Sequence, residues 1–374
     1  MKKLFVSIAM IMISCVSCKE QYFPPAESLQ DQLLVVEANL DAGGGPTTVR
    51  LSRTTKIDNT SPIQVENNAA VFVEGRDNTI QTLNFTGNGN YFSSNLNMVI
   101  NNEYRLRIRT SLGKEYLSDY VKALYNPPLD SINWERTNDG VQIYVNTNDP
   151  ANVLKYFRWD FIETWEIHSY YNSNLIFVNG NLRSRIFPGE NIRDCWKTSP
   201  STNILLANST QLQSGIISKA PIQFIPVNDE KLLFRYSIIA KQYALEKNGY
   251  NFFEILKKNT ENIGSLFGPQ PSELKGNIKC LTQPDEPVIG FVTASGVTEK
   301  RIFISNGEVA PWHKGLFCRE DSIANHRDSI IAAVGGGLVP ITYLDAPINR
   351  YLFSTPFCVD CTSRGATNIK PLFW

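Results

Sequence analysis

Histidine is scarce. The chain has three in 374 residues, His168, His313 and His326. None forms the His-Glu-x-x-His pattern of a zinc hydrolase, and none has a partner at a spacing that suggests a metal or a general base. There is no Gly-x-Ser-x-Gly nucleophile elbow, no phosphate loop and no dinucleotide fingerprint; Gly335-Gly336-Gly337 lacks the Lys-Ser/Thr that a phosphate loop needs. No catalytic, cofactor-binding or metal residue is therefore assigned. A glycosidase's two carboxylates are spatial neighbours rather than a sequence motif, so they leave no such trace among 36 acidic residues. Surplus charge is also lacking, with 36 basic residues facing 36 acidic. That argues against a nucleic-acid partner, which requires a basic surface, and gives no support for binding anionic lipid through a polybasic patch. No internal repeat or long low-complexity tract occurs.

No apolar run is long enough to span a bilayer as a helix, which takes about 20 residues. The longest, Leu4 to Val16, is 13 residues and follows Lys2 and Lys3. A short apolar stretch behind a positive start is the pattern of an export signal. Ser17 then precedes Cys18, and polar residues Lys19-Glu20-Gln21 begin at once. The three positions Cys15-Val16-Ser17 resemble a bacterial lipobox, with Cys15 where leucine is usual; Cys15 itself, after Met12-Ile13-Ser14, is the competing acceptor. The expectation is a signal peptide over 1–17, lipid on Cys18 and a tether over 18–32 carrying Pro24 and Pro25. Loss of Lys2 and Lys3 leaves 34 basic against 36 acidic residues, a formal charge of −2. Several acyl chains hold a protein to a membrane at about 0.8 kcal/mol per buried methylene. The fourteen residues 19–32 reach at most about 45 Å when extended.

Five cysteines remain beyond the anchor: Cys195, Cys280, Cys318, Cys358 and Cys361. Outside the cytoplasm disulfides are the default, and an odd number leaves at least one unpaired. Cys318 is expected to pair with Cys358 or Cys361 and pin the C-terminal tail, and Cys195 to pair with Cys280. Cys358-Val-Asp-Cys361 with Cys318 and His313 offers a zinc alternative, but a second tight ligand pair is missing. A redox motif would sit at the start of a helix after a strand.

The remaining sequence is rich in short alternating runs. Leu33 to Leu40, Val49 to Ser52 and Ala70 to Glu74 read as strands separated by Gly- and Asn-bearing turns. Tyr104-Arg105-Leu106-Arg107-Ile108-Arg109 alternates perfectly, with one face apolar and the other all arginine. Those arginines read either as an anion site or as a solvated outer face. The pattern predicts a β-sandwich over 33–126 and a boundary at Asn126-Pro127-Pro128. A second β-rich domain is expected over 127–374. In it Phe157, Trp159, Phe161, Trp165 and Ile167 share a face with Glu163. A carboxylate there either does acid chemistry, marks a bulge that shifts the register, or has an arginine partner. Apolar residues at helical spacing predict one helical insertion near 245–263, stopped by Gly264 and followed by Pro269 and Pro271. A short helix is also expected over 321–334. Residues 168–230 look irregular apart from Ile204-Leu205-Leu206.

Leu34-Val35-Val36-Glu37, Phe157-Arg158-Trp159-Asp160, Glu163-Thr164-Trp165-Glu166, Arg235-Tyr236-Ser237, Lys258-Asn259-Thr260-Glu261, Gly276-Asn277-Ile278, Cys358-Val359-Asp360-Cys361 and Phe373-Trp374 together resemble a family of Bacteroidota lipoproteins, domain of unknown function 4249. The resemblance covers nearly the whole chain after residue 17 and carries over no functional residue. It implies an outer-membrane, surface-exposed lipoprotein, held to the membrane by its N-terminal lipid, that binds a ligand for, or docks onto, a TonB-dependent nutrient receptor. A surface glycan or peptide hydrolase and a structural or adhesive surface protein are the other readings.

Overall fold

Alternation decides which side chains face inward. In the strand Glu103–Arg109, Tyr104, Leu106 and Ile108 are buried and the arginines between them point out. The same period of two runs through Gly140–Asn148, where Val141, Ile143 and Val145 are all fully buried. The computed structural model describes residues 32–55, 63–211, 214–261, 274–312 and 315–374. Signal residues 1–17, Cys18 and all of the tether but residue 32 lie outside them. The described chain is mainly β, as expected.

Among the described residues, ten strands form the first sheet, and nine of them run in the order Ile278–Cys280, Glu115–Ser118, Glu103–Arg109, Ala70–Gly75, Ile80–Gly87, Asn90–Ser93, Thr47–Arg53, Leu34–Asp41 and Ile289–Ser295. Both edges of this order come from one segment, 278–295. The sheet therefore wraps around a single core in which Leu34, Val36, Leu51, Tyr91, Leu106 and Tyr116 meet Ile278, Val292 and Ala294. The first module is thus not closed by residues 33–126 alone. Ile289–Ser295 pairs in parallel with Leu34–Asp41, from Val35 opposite Ile289 to Asp41 opposite Ser295. Parallel neighbours need a long connection, and here the whole second module provides it.

That second module is a pair of sheets with a common core. One has the order Ile216–Pro226, Gly140–Asn148, Leu129–Arg136; the other has Asp194–Pro200, Tyr156–His168, Arg235–Leu245, Val297–Ser305, with Leu205–Asn208 also on Tyr156–His168. Phe157, Trp159, Phe161, Trp165 and Ile167 from the long strand pack with Val141, Ile143, Val145, Ile222, Ile225, Tyr236 and Ile238. A smaller sheet of Asp321–Ala324, Arg350–Ser354 and Val339–Leu344 has its own cluster around Ile341, Cys358 and Val359.

Three sequence expectations change. The predicted insertion is the helix Lys247–Glu261; Leu245 ends the preceding strand, and Ile263, Gly264, Pro269 and Pro271 lie outside the described residues. Asp321–Ala324 is a strand rather than the first turn of a helix, because it pairs with Arg350–Ser354; the helix is Arg327–Gly335. The stretch that looked irregular holds five strands, including a hairpin whose Asn179-Gly180 turn has positive φ at both residues (51° and 80°), the geometry of a tight two-residue hairpin loop.

The Asn126-Pro127-Pro128 boundary is fastened rather than loose. The buried Gln242 donates from Nε2 to Pro127 O (3.0 Å) and Thr147 Oγ1 (3.1 Å), and accepts from Trp159 Nε1 (3.0 Å). Asn126 Nδ2 donates to Gln242 O at 2.6 Å. The helix Lys247–Glu261 spans the same junction, with Tyr250 on Tyr156 (5.0 Å between ring centres) and Phe252 on Phe291 (5.3 Å).

Gly290 is the tight point of the parallel pairing. Its φ is +144°, and a Cβ there would lie 2.2 Å from Val36 O. Gly290→Ala should therefore lower the unfolding free energy by about 3 kcal/mol, through strain plus clash. Denaturant unfolding checks this, and an alanine variant as stable as the parent would contradict the register.

Candidate functional site

The second module carries a cleft of about 330 Å³ between the edge of one sheet, the other sheet and the long helix. Leu205, Leu206, Ala207 and Asn208 form one wall, and Ile217, Ser218, Ala220 and Pro221 the other. The Trp159 indole lies at the base, and Lys257 of the helix stands at the rim. Asn208 has its own partners, donating to the Tyr250 hydroxyl at 3.0 Å and accepting from Thr210 N at 3.3 Å. The Lys257 ammonium is the single charge in the lining, 3.8 Å from Glu261. The cleft thus mixes apolar side chains with the polar groups of Asn208, Ser218 and Lys257. None of the lining residues is a carboxylate, histidine or cysteine.

Of this cleft the sequence marks only the apolar run Ile204-Leu205-Leu206. Its meeting with the rest of the cleft depends on Leu205–Asn208 pairing with Tyr156–His168, which no local pattern signals.

The residues flagged in the sequence fall elsewhere. Glu163 points into the core, with no register shift in its strand. It accepts from Lys231 Nζ (2.6 Å), the Tyr236 hydroxyl (2.9 Å) and Gln223 Nε2 (3.1 Å). Burial, together with this carboxylate, pushes the Tyr236 hydroxyl well above its ordinary range. The cation is Lys231 rather than the expected arginine, and with Gln223 of the facing sheet the arrangement clamps the two sheets together.

Arg105, Arg107 and Arg109 form a ladder with two carboxylates on the first module's outer face. Glu74 binds Arg105 (2.7 Å) and Arg107; Glu115 binds Arg107 and Arg109 (3.2 Å). The Arg107 hydrogen bond, opposed by burial and helped by Arg105, holds Glu74 below the usual carboxylate range. Arg107 does the same for Glu115, aided by Arg109. The guanidinium groups are thus occupied from within.

Cys318 is bonded to Cys358, one of the two partners expected. Cys195 is bonded to Cys361, and the expected Cys195–Cys280 pair is absent. Cys280 is a buried free thiol in the core of the first module, 3.4 Å from Thr282 Oγ1, because the 278–295 segment carries it away from the second module. The two cysteines of Cys358-Val-Asp-Cys361 thus join different partners, which rules out their acting together as zinc ligands or as a redox pair. Each bridge contributes about 2–4 kcal/mol. Among the described residues no group of three or more His, Cys, Asp or Glu is placed to hold a metal ion. His168 Nε2 lies 2.8 Å from Glu166 Oε1, His326 sits at an exposed helix start, and His313 lies outside the described residues.

A sequence profile described as a domain of unknown function, DUF4249, matches residues 19–301. The chain belongs to the DUF4249 family. No curated protein matches this DUF4249 member. Among solved structures it matches the selenomethionine-substituted chicken interferon gamma receptor alpha chain, at 14% identity over 56% of this chain and 87% of the other, with a TM-score of 0.15. The matched segment contains the first core, most of the second, the cleft and Glu163. The small sheet and three of the four bridging cysteines lie beyond it.

Removing one partner of a buried ion pair leaves the other charge stranded. Lys231→Met should cost about 3 kcal/mol in denaturant unfolding, and Glu163→Leu added to it should recover part of that loss. A Lys231→Met variant as stable as the parent would show that Glu163 does not depend on the ammonium. The ladder gives a pH signature. Glu74 and Glu115 have folded-state values below their unfolded ones, so their contribution is complete above about pH 4.5 and lost as pH falls through the lowered values. Unfolding free energy should be level from about pH 5 to 7 and fall below about pH 4, with a shallower fall in Glu74→Gln. An unchanged acid slope in that variant would remove Glu74 as a contributor.

Proposed function

We propose that this DUF4249 protein is a lipid-anchored lipoprotein of the outer-membrane surface, serving as a ligand-binding accessory of a TonB-dependent nutrient receptor. The observation that supports the reading is the placement of the cleft. The described chain begins at residue 32 at one pole of the first module, and the second module joins the opposite pole, where Asn126 meets Gln242. An anchor at Cys18 would therefore leave the cleft on the module facing away from the membrane. The cleft's chemistry favours a small amphipathic nutrient carrying an acidic group, held by contact with Trp159 and attraction to Lys257. Its walls rest on a core pinned by Gln242 and Glu163, so ligand meets a preformed surface.

Two measurements test this. Mass spectrometry of the N-terminal peptide should find Cys18 acylated; an unmodified Cys18, or chain free in the culture medium, would refute the anchor. Isolation of the native protein in gentle detergent should recover the receptor; repeated recovery of the lipoprotein alone would refute the accessory role.

A further inference from the structure

The pole where the chain enters the first module is built around one carboxylate. Glu286 accepts from Lys114 Nζ at 2.6 Å and from the Tyr116 hydroxyl at 2.7 Å, with the Arg53 guanidinium 4.0 Å away. Burial pushes Glu286 up, but Lys114 and Tyr116 more than offset this and hold it below the usual carboxylate range. These contacts bring together the end of Thr47–Arg53, the 110–114 turn and the 281–286 loop. Arg53 N donates to Gln64 O at 2.8 Å, which adds residues 63–65. Arg53 Nη1 donates to Gln32 O at 3.2 Å, which fixes the point of entry.

Three aliphatic side chains stand out from this pole. Leu112 is 83% exposed, Ile63 63% and Leu281 47%. Leu112 crowns a tight turn closed by Thr110 N to Lys114 O (2.9 Å) and Gly113 N to Thr110 O (3.0 Å), and its side chain serves none of those bonds. One exposed leucine on a protein surface is ordinary. Three around the site where an anchored chain arrives form a patch with a definite neighbour.

We propose that this pole is a lipid-contacting surface, with Ile63, Leu112 and Leu281 dipping into the interfacial zone of the membrane that holds the lipid on Cys18. The inference rests on the anchor reading above. Residues 19–32 join Cys18 to the pole and reach at most about 45 Å. The first module is only about 26 Å tall, judged from its eight-residue strand Leu34–Asp41. The tether alone is therefore long enough to let the module topple, and apolar contact at the pole is what would hold it upright. The nearby cations do not supply a substitute, since Arg53 is held by Glu66 and Lys114 by Glu286. Insertion of aliphatic side chains thus suits a chain with a net charge near zero.

The test uses the full acylated chain in vesicles of phosphatidylethanolamine and phosphatidylglycerol, with a genetically encoded dansyl side chain replacing Leu112 or, for comparison, Ile80. Ile80 is 66% exposed but follows the Gly75–Thr79 turn at the opposite pole. At position 112 the emission should shift to the blue, be quenched by spin-labelled lipid and be protected from aqueous iodide. At position 80 none of these changes should occur. With the dansyl group moved to position 63, Leu112→Asp should reduce the shift. A chain that floats with the vesicles while position 112 stays open to iodide overturns the lipid-contacting pole and leaves the anchor standing. A chain that stays at the bottom of the gradient with Cys18 unmodified overturns both.

Discussion

The fold depends on one pairing of distant segments. Leu34–Asp41 and Ile289–Ser295 lie side by side in parallel, and the first core is incomplete without Val292, Ala294 and their neighbours Ile278 and Cys280. An entire two-sheet module is threaded between them. The first module cannot bury its apolar face until nearly 300 residues of chain are in place, so the two modules are parts of one cooperative structure rather than beads on a string. Gly290 makes the approach possible, since any larger residue would collide with Val36 O.

Buried polar groups then fix how the parts meet. Gln242 links the module junction to Trp159, and Trp159 forms the base of the cleft. Glu163 holds one sheet of the second module to the other through Lys231, Gln223 and Tyr236. Such groups are costly to bury unless every partner is present, and here each one is satisfied by atoms from a different strand or loop. The disulfides act at the other side of the module, tying the tail to Asp194–Pro200 and to the small sheet's cluster. The result is a stiff body whose cleft and entry pole lie on different modules, which is the arrangement the proposed anchored role requires.

The alternating strands and the long helix were legible from period-two and helical spacing. So was the pairing of Cys318 with the tail. Residues 168–230 were not legible, because their short strands, such as Leu205–Asn208, are made strands by partners far along the chain rather than by their own pattern. Asp321–Ala324 went wrong for the same reason. Glu163 was correctly placed on the apolar face, but its lysine partner comes from a loop 68 residues away.

The sequence by itself determined which faces are apolar and how many cysteines there are to pair, since these are local or countable. Only the tertiary structure decided that the first core borrows residues 278–295, that Cys280 stays free while Cys195 takes Cys361, and that Trp159, Leu206, Pro221 and Lys257 face one cleft. Those outcomes depend on contacts between residues tens to hundreds of positions apart. A chain's local periodicity cannot specify which of its many compatible edges will finally pair.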